Sequence, residues 1–196
     1  MEMYSLVSIG RALHFLINIY IWIVIAGALI TWVSPDPFNP LVRFLKSATD
    51  PVFRIVRKNV PWSLGGVDFT PIVVIAILVF LDVALVNSLI EYGNVIANIL
   101  LGVGQVLYIF FNLYMWIIII SVIISWVTPN PYNPIARFLY TLTEPVLAKL
   151  RTLFPLRAGR LDLSPAVAIV VIIILNWVVS RSLIETGLRM KIQGGF

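Results

Sequence analysis

The chain has 196 residues, of which 60% are hydrophobic and only 12% are charged. A soluble domain is about 45–50% apolar and about 25% charged, so 14 basic and nine acidic side chains cannot cover a protein of this size with a polar surface. The composition argues against a soluble enzyme and a nucleic-acid-binding domain. The absence of cysteine also argues against a disulfide-stapled secreted domain.

Four segments are long and apolar enough to cross a membrane, which requires roughly 20 residues for a hydrocarbon core of about 30 Å. In chain order they are predicted at about residues 12–33, 71–90, 105–127 and 165–183. The first contains no Asp, Glu, Lys or Arg, whereas the second is interrupted by Asp82. The predicted fold class is therefore an all-α membrane protein with four transmembrane helices.

The chain contains an internal repeat with an offset of 94 residues. Residues 11–93 align without a gap on residues 105–187, with 32 identities in 83 pairs. We therefore divide the chain into two tandem modules, residues 1–94 and 95–196. Each module has two spans, so both modules have the same orientation in the membrane. This arrangement is a parallel repeat, not an inverted one.

The loop inside each module is rich in proline and contains the most strongly repeated residues. Proline favours the first position of a helix, and Asn or Asp favours the cap before it, which predicts short helices beginning at Pro40 and Pro51. The candidate loop residues are Pro35, Pro37, Asn39, Pro40, Arg43, Asp50 and Pro51, with their equivalents Pro129, Pro131, Asn133, Pro134, Arg137, Glu144 and Pro145.

The short helices are predicted to be amphipathic and to lie in the membrane interface. From Leu41 to Lys58, polar residues recur at intervals of three and four, which is the period of one helical face. Pro51 is expected to divide this segment into two short helices. The alternative is a basic loop that sets the topology and packs on the spans of the protein itself. Arg43 with Asp50, and Arg137 with Glu144, are spaced so that each pair could meet across the break.

The basic residues also predict the orientation. The two motif loops contain ten Lys and Arg, whereas the other side of the membrane has only four. Because cytoplasmic loops carry the excess of Lys and Arg, we expect the motif loops in the cytoplasm. Both termini are then on the opposite side of the membrane.

Polar residues within the spans form a second group of candidates. Asp82 lies near the middle of the second span, where an ionisable group is costly and a functional role is the default hypothesis. His14 and Asn18 share a face of the first span, and a cluster of these three could bind a cation or relay a proton. The equivalents of Asn18 and Asp82 are Asn112 and Asn176. The alternative is that these groups form interhelical hydrogen bonds, each contributing about 0.6–2 kcal/mol.

The repeated motifs resemble those of the YggT family, also called YlmG-like, of bacterial and plastid integral membrane proteins. The most specific are the run W-x-S/T-P-x-P-x-N-P, then R-F-L, then T-D/E-P-V. The resemblance covers nearly the whole chain as two successive family modules. It implies a location in a bacterial inner (plasma) membrane, in which both termini would be periplasmic or extracellular. It implies a link to osmotic tolerance and ion uptake, to cell division and nucleoid organisation, or to membrane-complex biogenesis, and it implies no metal or catalytic motif.

Two function classes follow from these observations. The first is a non-enzymatic organising or assembly factor that acts through the basic amphipathic loops. The second is a small ion transport or channel component, for potassium or protons, in osmotic adaptation. We expect no catalytic residue, metal site or cofactor. The expected partners are membrane lipids, membrane or cytoplasmic proteins and a second copy of the chain, whereas nucleic acid is not expected.

Overall fold

The computed structural model describes residues 2–33, 36–59, 63–64, 67–91, 94–127, 133–154, 157–158 and 161–193. Within these residues, four helical segments are long and apolar enough to cross a membrane. They are Tyr4–Ile30, Thr70–Ile90, Val95–Val127 and Ser164–Gln193. The predicted fold class is confirmed: the chain is an all-α membrane protein with four transmembrane helices.

The two halves of the chain have the same order of elements. The first half contains α1 (Glu2–Val33), α2 (Pro40–Asn59), β1 (Ser63–Leu64), β2 (Val67–Asp68), α3 (Thr70–Leu81), a π-helical segment (Asp82–Val86) and α4 (Asn87–Glu91). The second contains α5 (Val95–Val127), α6 (Pro134–Leu153), β3 (Arg157–Ala158), β4 (Leu161–Asp162), α7 (Ser164–Leu175), a second π-helical segment (Asn176–Arg181) and α8 (Ser182–Gln193). The strands of each half form a short antiparallel pair.

Several helices extend beyond the spans predicted from apolar composition. Helix α1 begins at Glu2 and α5 begins at Val95, in each case about ten residues before the predicted span. At a rise of about 1.5 Å per residue, a helix of 33 residues is longer than the hydrocarbon core is thick. The composition locates the part of each helix that lipid must surround, and it does not locate the ends of the helix.

The chain forms two compact units, residues 1–106 with 183–196 and residues 107–182. The core of the first unit contains Val24, Phe53 and Val74. The core of the second contains Ile118, Leu147, Ala168 and Ile172, the first three of which stand 94 residues after the residues of the first core. Each core therefore joins the first span, the amphipathic helix and the second span of a half. The division into modules 1–94 and 95–196 remains a prediction about the sequence repeat.

The predicted break at Pro51 is wrong, because α2 continues through it from Pro40 to Asn59. A proline inside a helix removes one backbone hydrogen bond and displaces the carbonyl four residues earlier. Next to this weakened turn, the hydroxyl of Tyr20 on α1 donates to the carbonyl of Ala48 at 3.0 Å. Burial of Thr49 and Phe53 on either side of Pro51 holds both parts of α2 in place. The helix is therefore held by its packing although the proline weakens it locally.

The amphipathic helix of the second half also continues through a proline and is also held by a tyrosine hydrogen bond. Helix α6 continues through Pro145, and the hydroxyl of Tyr114 donates to the carbonyl of Leu142 at 3.2 Å. Tyr114 and Leu142 stand 94 residues after Tyr20 and Ala48. Because the tyrosine, the proline and the contact all recur, the continuous amphipathic helix is a property of the repeated module.

Candidate functional site

The structure brings two of the intramembrane candidates into direct contact. Nδ1 of His14 on α1 lies 2.8 Å from Oδ1 of Asp82. The side chain of Asp82 is 12% exposed, whereas that of His14 is 52% exposed. Asn18 donates to the backbone carbonyl of His14 at 2.9 Å and also lies 3.4 Å from both nitrogens of its ring. The arrangement places a buried carboxylate behind a half-exposed imidazole within the first unit.

Asp82 is also the first residue of a π-helical segment, Asp82–Val86. A π segment is uncommon, and single turns of this kind inside α-helices occur frequently at functional sites. The equivalent position in the second half, Asn176, begins the other π segment, Asn176–Arg181. The irregular turn therefore recurs in both modules, although its first side chain is charged in only one of them.

The second unit has a different set of polar groups around its π segment. Asn112 donates to the backbone carbonyl of Tyr108 at 2.8 Å, as Asn18 does to His14. The side-chain oxygen of Asn176 and the hydroxyl of Ser180 are buried and have no hydrogen-bond partner among the residues that the structure describes. The contact between His14 and Asp82 consequently has no counterpart made of the same residue types.

The proline-rich turn forms the entrance to α2 as the sequence predicts. The side chain of Asn39 accepts a hydrogen bond from the amide of Leu41 at 2.9 Å, and its carbonyl accepts one from the amide of Arg43. This is the geometry of an N-cap before a helix that begins at Pro40. Pro37 lies in the turn before it, where the amide of Asn39 donates to the carbonyl of Asp36 at 3.2 Å.

The corresponding turn of the second half is described in part. Helix α6 begins at Pro134, and the carbonyl of Asn133 accepts a hydrogen bond from the amide of Arg137 at 3.0 Å. Candidates Pro35, Pro129 and Pro131 lie outside the described residues.

Two aspartates, Asp68 and Asp162, lie just before the second span of each half, and each binds an arginine. The sequence did not identify these pairs. Arg57 forms hydrogen bonds to Asp68 through Nε and a terminal nitrogen, and its guanidinium lies 5.8 Å from the centre of the Phe53 ring. The other carboxylate oxygen of Asp68 accepts the amide of Thr70, the first residue of α3, at 2.9 Å. We call the contact between Arg57 and Asp68 the first strut, because it joins the end of α2 to the start of α3.

The second strut joins Arg151 to Asp162 in the same way, with Nε of Arg151 at 2.9 Å from Oδ2 of Asp162. The amide of Ser164 donates to Oδ1 of Asp162 at 2.9 Å. Partial burial acts to raise the pKa of Asp162, but hydrogen bonds from Ser164 and Arg151 lower it below its ordinary value overall. The recurrence of Arg57 as Arg151 and of Asp68 as Asp162 marks these four residues in the sequence, but it does not show that they pair.

The predicted pairing of Arg137 with Glu144 is wrong. Glu144 instead forms an ion pair with Arg151, at 2.5 Å between Oε1 and a terminal nitrogen. Both arginines are seven residues from Glu144, but Arg151 is already fixed beside it by Asp162. The predicted contact between Arg43 and Asp50 is also wrong, since no ion pair joins them in the described part of the first half.

Helix α2 has three distinct faces. Val42, Leu45, Thr49 and Phe53 are buried, and the helix packs against α1 and α3. A second face contains Arg43, Lys46, Asp50, Arg54 and Arg57, while a third exposes the apolar side chains of Leu41, Phe44 and Ile55. A helix with a basic face and an exposed apolar face is typical of segments that lie in a membrane interface.

The fold and the repeated amphipathic helices define a multi-pass helical membrane protein built from two tandem modules. The family model CCB3/YggT matches the chain twice, over residues 6–89 and 100–183. The chain therefore belongs to the CCB3/YggT family, and the predicted resemblance is confirmed.

Relatives of similar length are found in several bacteria. An uncharacterized protein of Pseudomonas aeruginosa is 32% identical over 180 residues, which cover 90% of each chain. The uncharacterized protein YggT of Escherichia coli is 25% identical over 173 residues, which cover 87% of this chain and 88% of the relative. No solved structure matches the chain. These relatives support the family and the architecture, and they assign no activity.

Proposed function

We propose that this protein is a non-enzymatic membrane organising factor that acts through its basic amphipathic helices. The observation that carries the proposal is the division of α2 into a buried, a cationic and an exposed apolar face. The buried face fixes the helix to the spans, so the two remaining faces have a constant orientation. The apolar face can then enter the lipid while the cationic face attracts anionic headgroups or acidic partner proteins.

The proposed orientation places α2 and α6 on the cytoplasmic side, where anionic lipids attract basic segments at about 1 kcal/mol per Lys or Arg. The chain contains no cysteine, so single cysteines can report the topology directly. A membrane-impermeant maleimide added outside intact cells should label Arg189→Cys and leave Arg54→Cys unlabelled until the membrane is permeabilised. Labelling of Arg54→Cys in intact cells would reverse the proposed orientation.

The organising role is tested by measuring which lipids surround the protein. Energy transfer from a donor on the reconstituted protein to labelled phosphatidylglycerol should exceed that to labelled phosphatidylcholine. The triple variant Arg43→Gln, Lys46→Gln and Arg54→Gln should lose most of this difference, and high salt should reduce it in the wild type. The matched control neutralises three basic residues outside the motif loops, Arg11, Arg181 and Arg189, and should leave the difference unchanged. Equal transfer to both lipids in the wild type would remove the proposal.

The hydrogen bond between His14 and Asp82 favours a second candidate, a small ion transport component for potassium or protons. Ionisable groups within spans often mark ion pathways and proton relays, and this pair lies at a π segment. A flux assay in liposomes should then show potassium or proton movement that Asp82→Ala abolishes. If the folded and correctly inserted wild type carries neither ion, the transport candidate is excluded.

A further inference from the structure

The second unit contains a cleft of about 650 Å³ that opens at its surface. One wall is formed by the last turns of α5, including Val122 and Trp126, and another by the first turns of α7, including Ala166 and Ile169. Because these are the ends of two spans, the cleft lies where the membrane core meets the polar region. Its volume is within the range of about 300–1,000 Å³ that is usual for small-molecule sites.

The described charged side chains at the polar end of the cleft carry an excess of negative charge. Of the described residues that line it, Glu144, Arg151 and Asp162 are ionisable side chains of formal charge −1, +1 and −1. Arg151 is engaged by both carboxylates at once, so its cation is already neutralised and one negative charge remains. Hydrogen bonds to Glu144 raise the pKa of Arg151, and Asp162 titrates below its ordinary range. Arg151 and Asp162 therefore keep their charges at neutral pH, and the net negative charge of the described side chains favours a cationic group over a phosphate alone.

At the equivalent positions, the first half has residues that would disfavour the binding of a cationic group. Tyr140, which lines the cleft, is replaced by Lys46, and Ala166 is replaced by the larger Ile72. Asp50, the equivalent of Glu144, forms no ion pair among the described residues. The first half therefore provides an internal comparison, because it has an additional positive charge and a bulkier side chain at positions equivalent to the lining of the cleft.

We infer that this cleft binds a phospholipid whose headgroup carries a primary ammonium group. The ammonium donates hydrogen bonds to the carboxylates of Glu144 and Asp162, which are charge-assisted and correspondingly strong. An acyl chain lies along the apolar side chains of α5 and α7. The ligand is a membrane lipid and not a soluble amine, because the apolar walls of the cleft belong to the spans themselves. This site is independent of the surface interaction proposed for α2.

The test uses native mass spectrometry of the intact protein in detergent micelles, with equal amounts of phosphatidylethanolamine, phosphatidylcholine and phosphatidylglycerol. The wild type should retain the ethanolamine lipid preferentially. Glu144→Gln should reduce that retention about tenfold, the effect of losing one charge-assisted hydrogen bond, and the matched variant Asp50→Asn should leave it unchanged. Free ethanolamine at the same concentration should not displace the lipid.

A second variant tests the cleft without altering its charges. Ala166→Ile introduces the residue found at the equivalent position of the first half, and Ala166 is exposed, so the fold should be retained. It should abolish the preferential retention while the circular dichroism spectrum stays unchanged. Equal retention of the ethanolamine lipid and either comparison lipid by the wild type would overturn the inference. So would an equal loss in Asp50→Asn and Glu144→Gln, or full retention in Ala166→Ile.

Discussion

Removing His14 should destabilise the protein, and a second substitution at Asp82 should restore part of the loss. Asp82 is 12% exposed and has His14 as its hydrogen-bond partner at 2.8 Å. His14→Ala leaves this carboxylate buried and unpaired, which costs about 1–3 kcal/mol. Asp82→Asn alone should cost less, about 0.6 kcal/mol, because an amide can still bond to the imidazole. In the double variant the buried group is a neutral amide, whose unpaired burial costs less than that of a carboxylate.

The second half of the chain supports this ranking. Asn176 occupies the position equivalent to Asp82, and its side-chain oxygen is buried without a partner among the described residues. A neutral amide is thus tolerated at the start of a π segment without an imidazole beside it. As a matched control, Asn176→Asp places a carboxylate there and should cost about 3 kcal/mol, as expected for an acid within a span.

The assay is reversible unfolding of the purified protein by sodium dodecyl sulfate in mixed micelles, followed by far-ultraviolet circular dichroism. The expected order of stability is wild type, Asp82→Asn, the double variant and then His14→Ala. Addition of Asp82→Asn to His14→Ala should therefore raise stability by about 1 kcal/mol, since the unpaired carboxylate is removed. A double variant less stable than His14→Ala would refute the reasoning.

Three further outcomes are expected from the packing and the charges. Gly187→Ala should lower the free energy of unfolding by about 1–3 kcal/mol, because a Cβ would lie 2.8 Å from the carbonyl oxygen of Ala97. An unchanged free energy of unfolding would contradict this close approach. Tyr20→Phe should cost about 0.5–1.5 kcal/mol through loss of the bond to Ala48, measured in the same unfolding assay. Because the pKa of Asp162 is lowered in the folded state, its stabilising effect is present above the ordinary carboxyl pKa of about 3.9 and is lost as the pH falls through the lower folded-state value. Asp162→Asn should therefore be less stable than the wild type at neutral pH and converge with it in acid, and a constant difference would exclude the second strut as the cause.

The repeat and the span composition predicted most of the fold. The 94-residue offset correctly implied equivalent modules, and the Asn-Pro pairs located the starts of α2 and α6. The proline rule failed at Pro51, because a local preference was outweighed by burial of Thr49 and Phe53 and by the tyrosine bond next to it. Tertiary contacts of this kind leave no local pattern in the sequence.

The candidate site was predicted less completely. Spacing on α1 placed His14 and Asn18 together, and depth in the second span identified Asp82, so this group could be anticipated. The two struts could not be derived from spacing, since Arg57 and Asp68 are 11 residues apart and are joined only when the chain reverses between α2 and α3. The π segments likewise depend on packing around Asp82 and Asn176, for which residue type alone gives no rule.

The central claim, that α2 lies in the membrane interface with its cationic face towards water, can be measured by site-directed spin labelling in liposomes. Because the chain has no cysteine, Phe44→Cys and Arg43→Cys each provide a single labelling site on an exposed face of α2. The label at position 44 should collide more often with dissolved oxygen, because an interfacial helix buries its apolar face about 5–10 Å into the boundary of headgroups and acyl chains. The label at position 43 should collide more often with an aqueous nickel chelate. Predominant access of both labels to the nickel chelate would show that α2 stands away from the membrane and would contradict the claim.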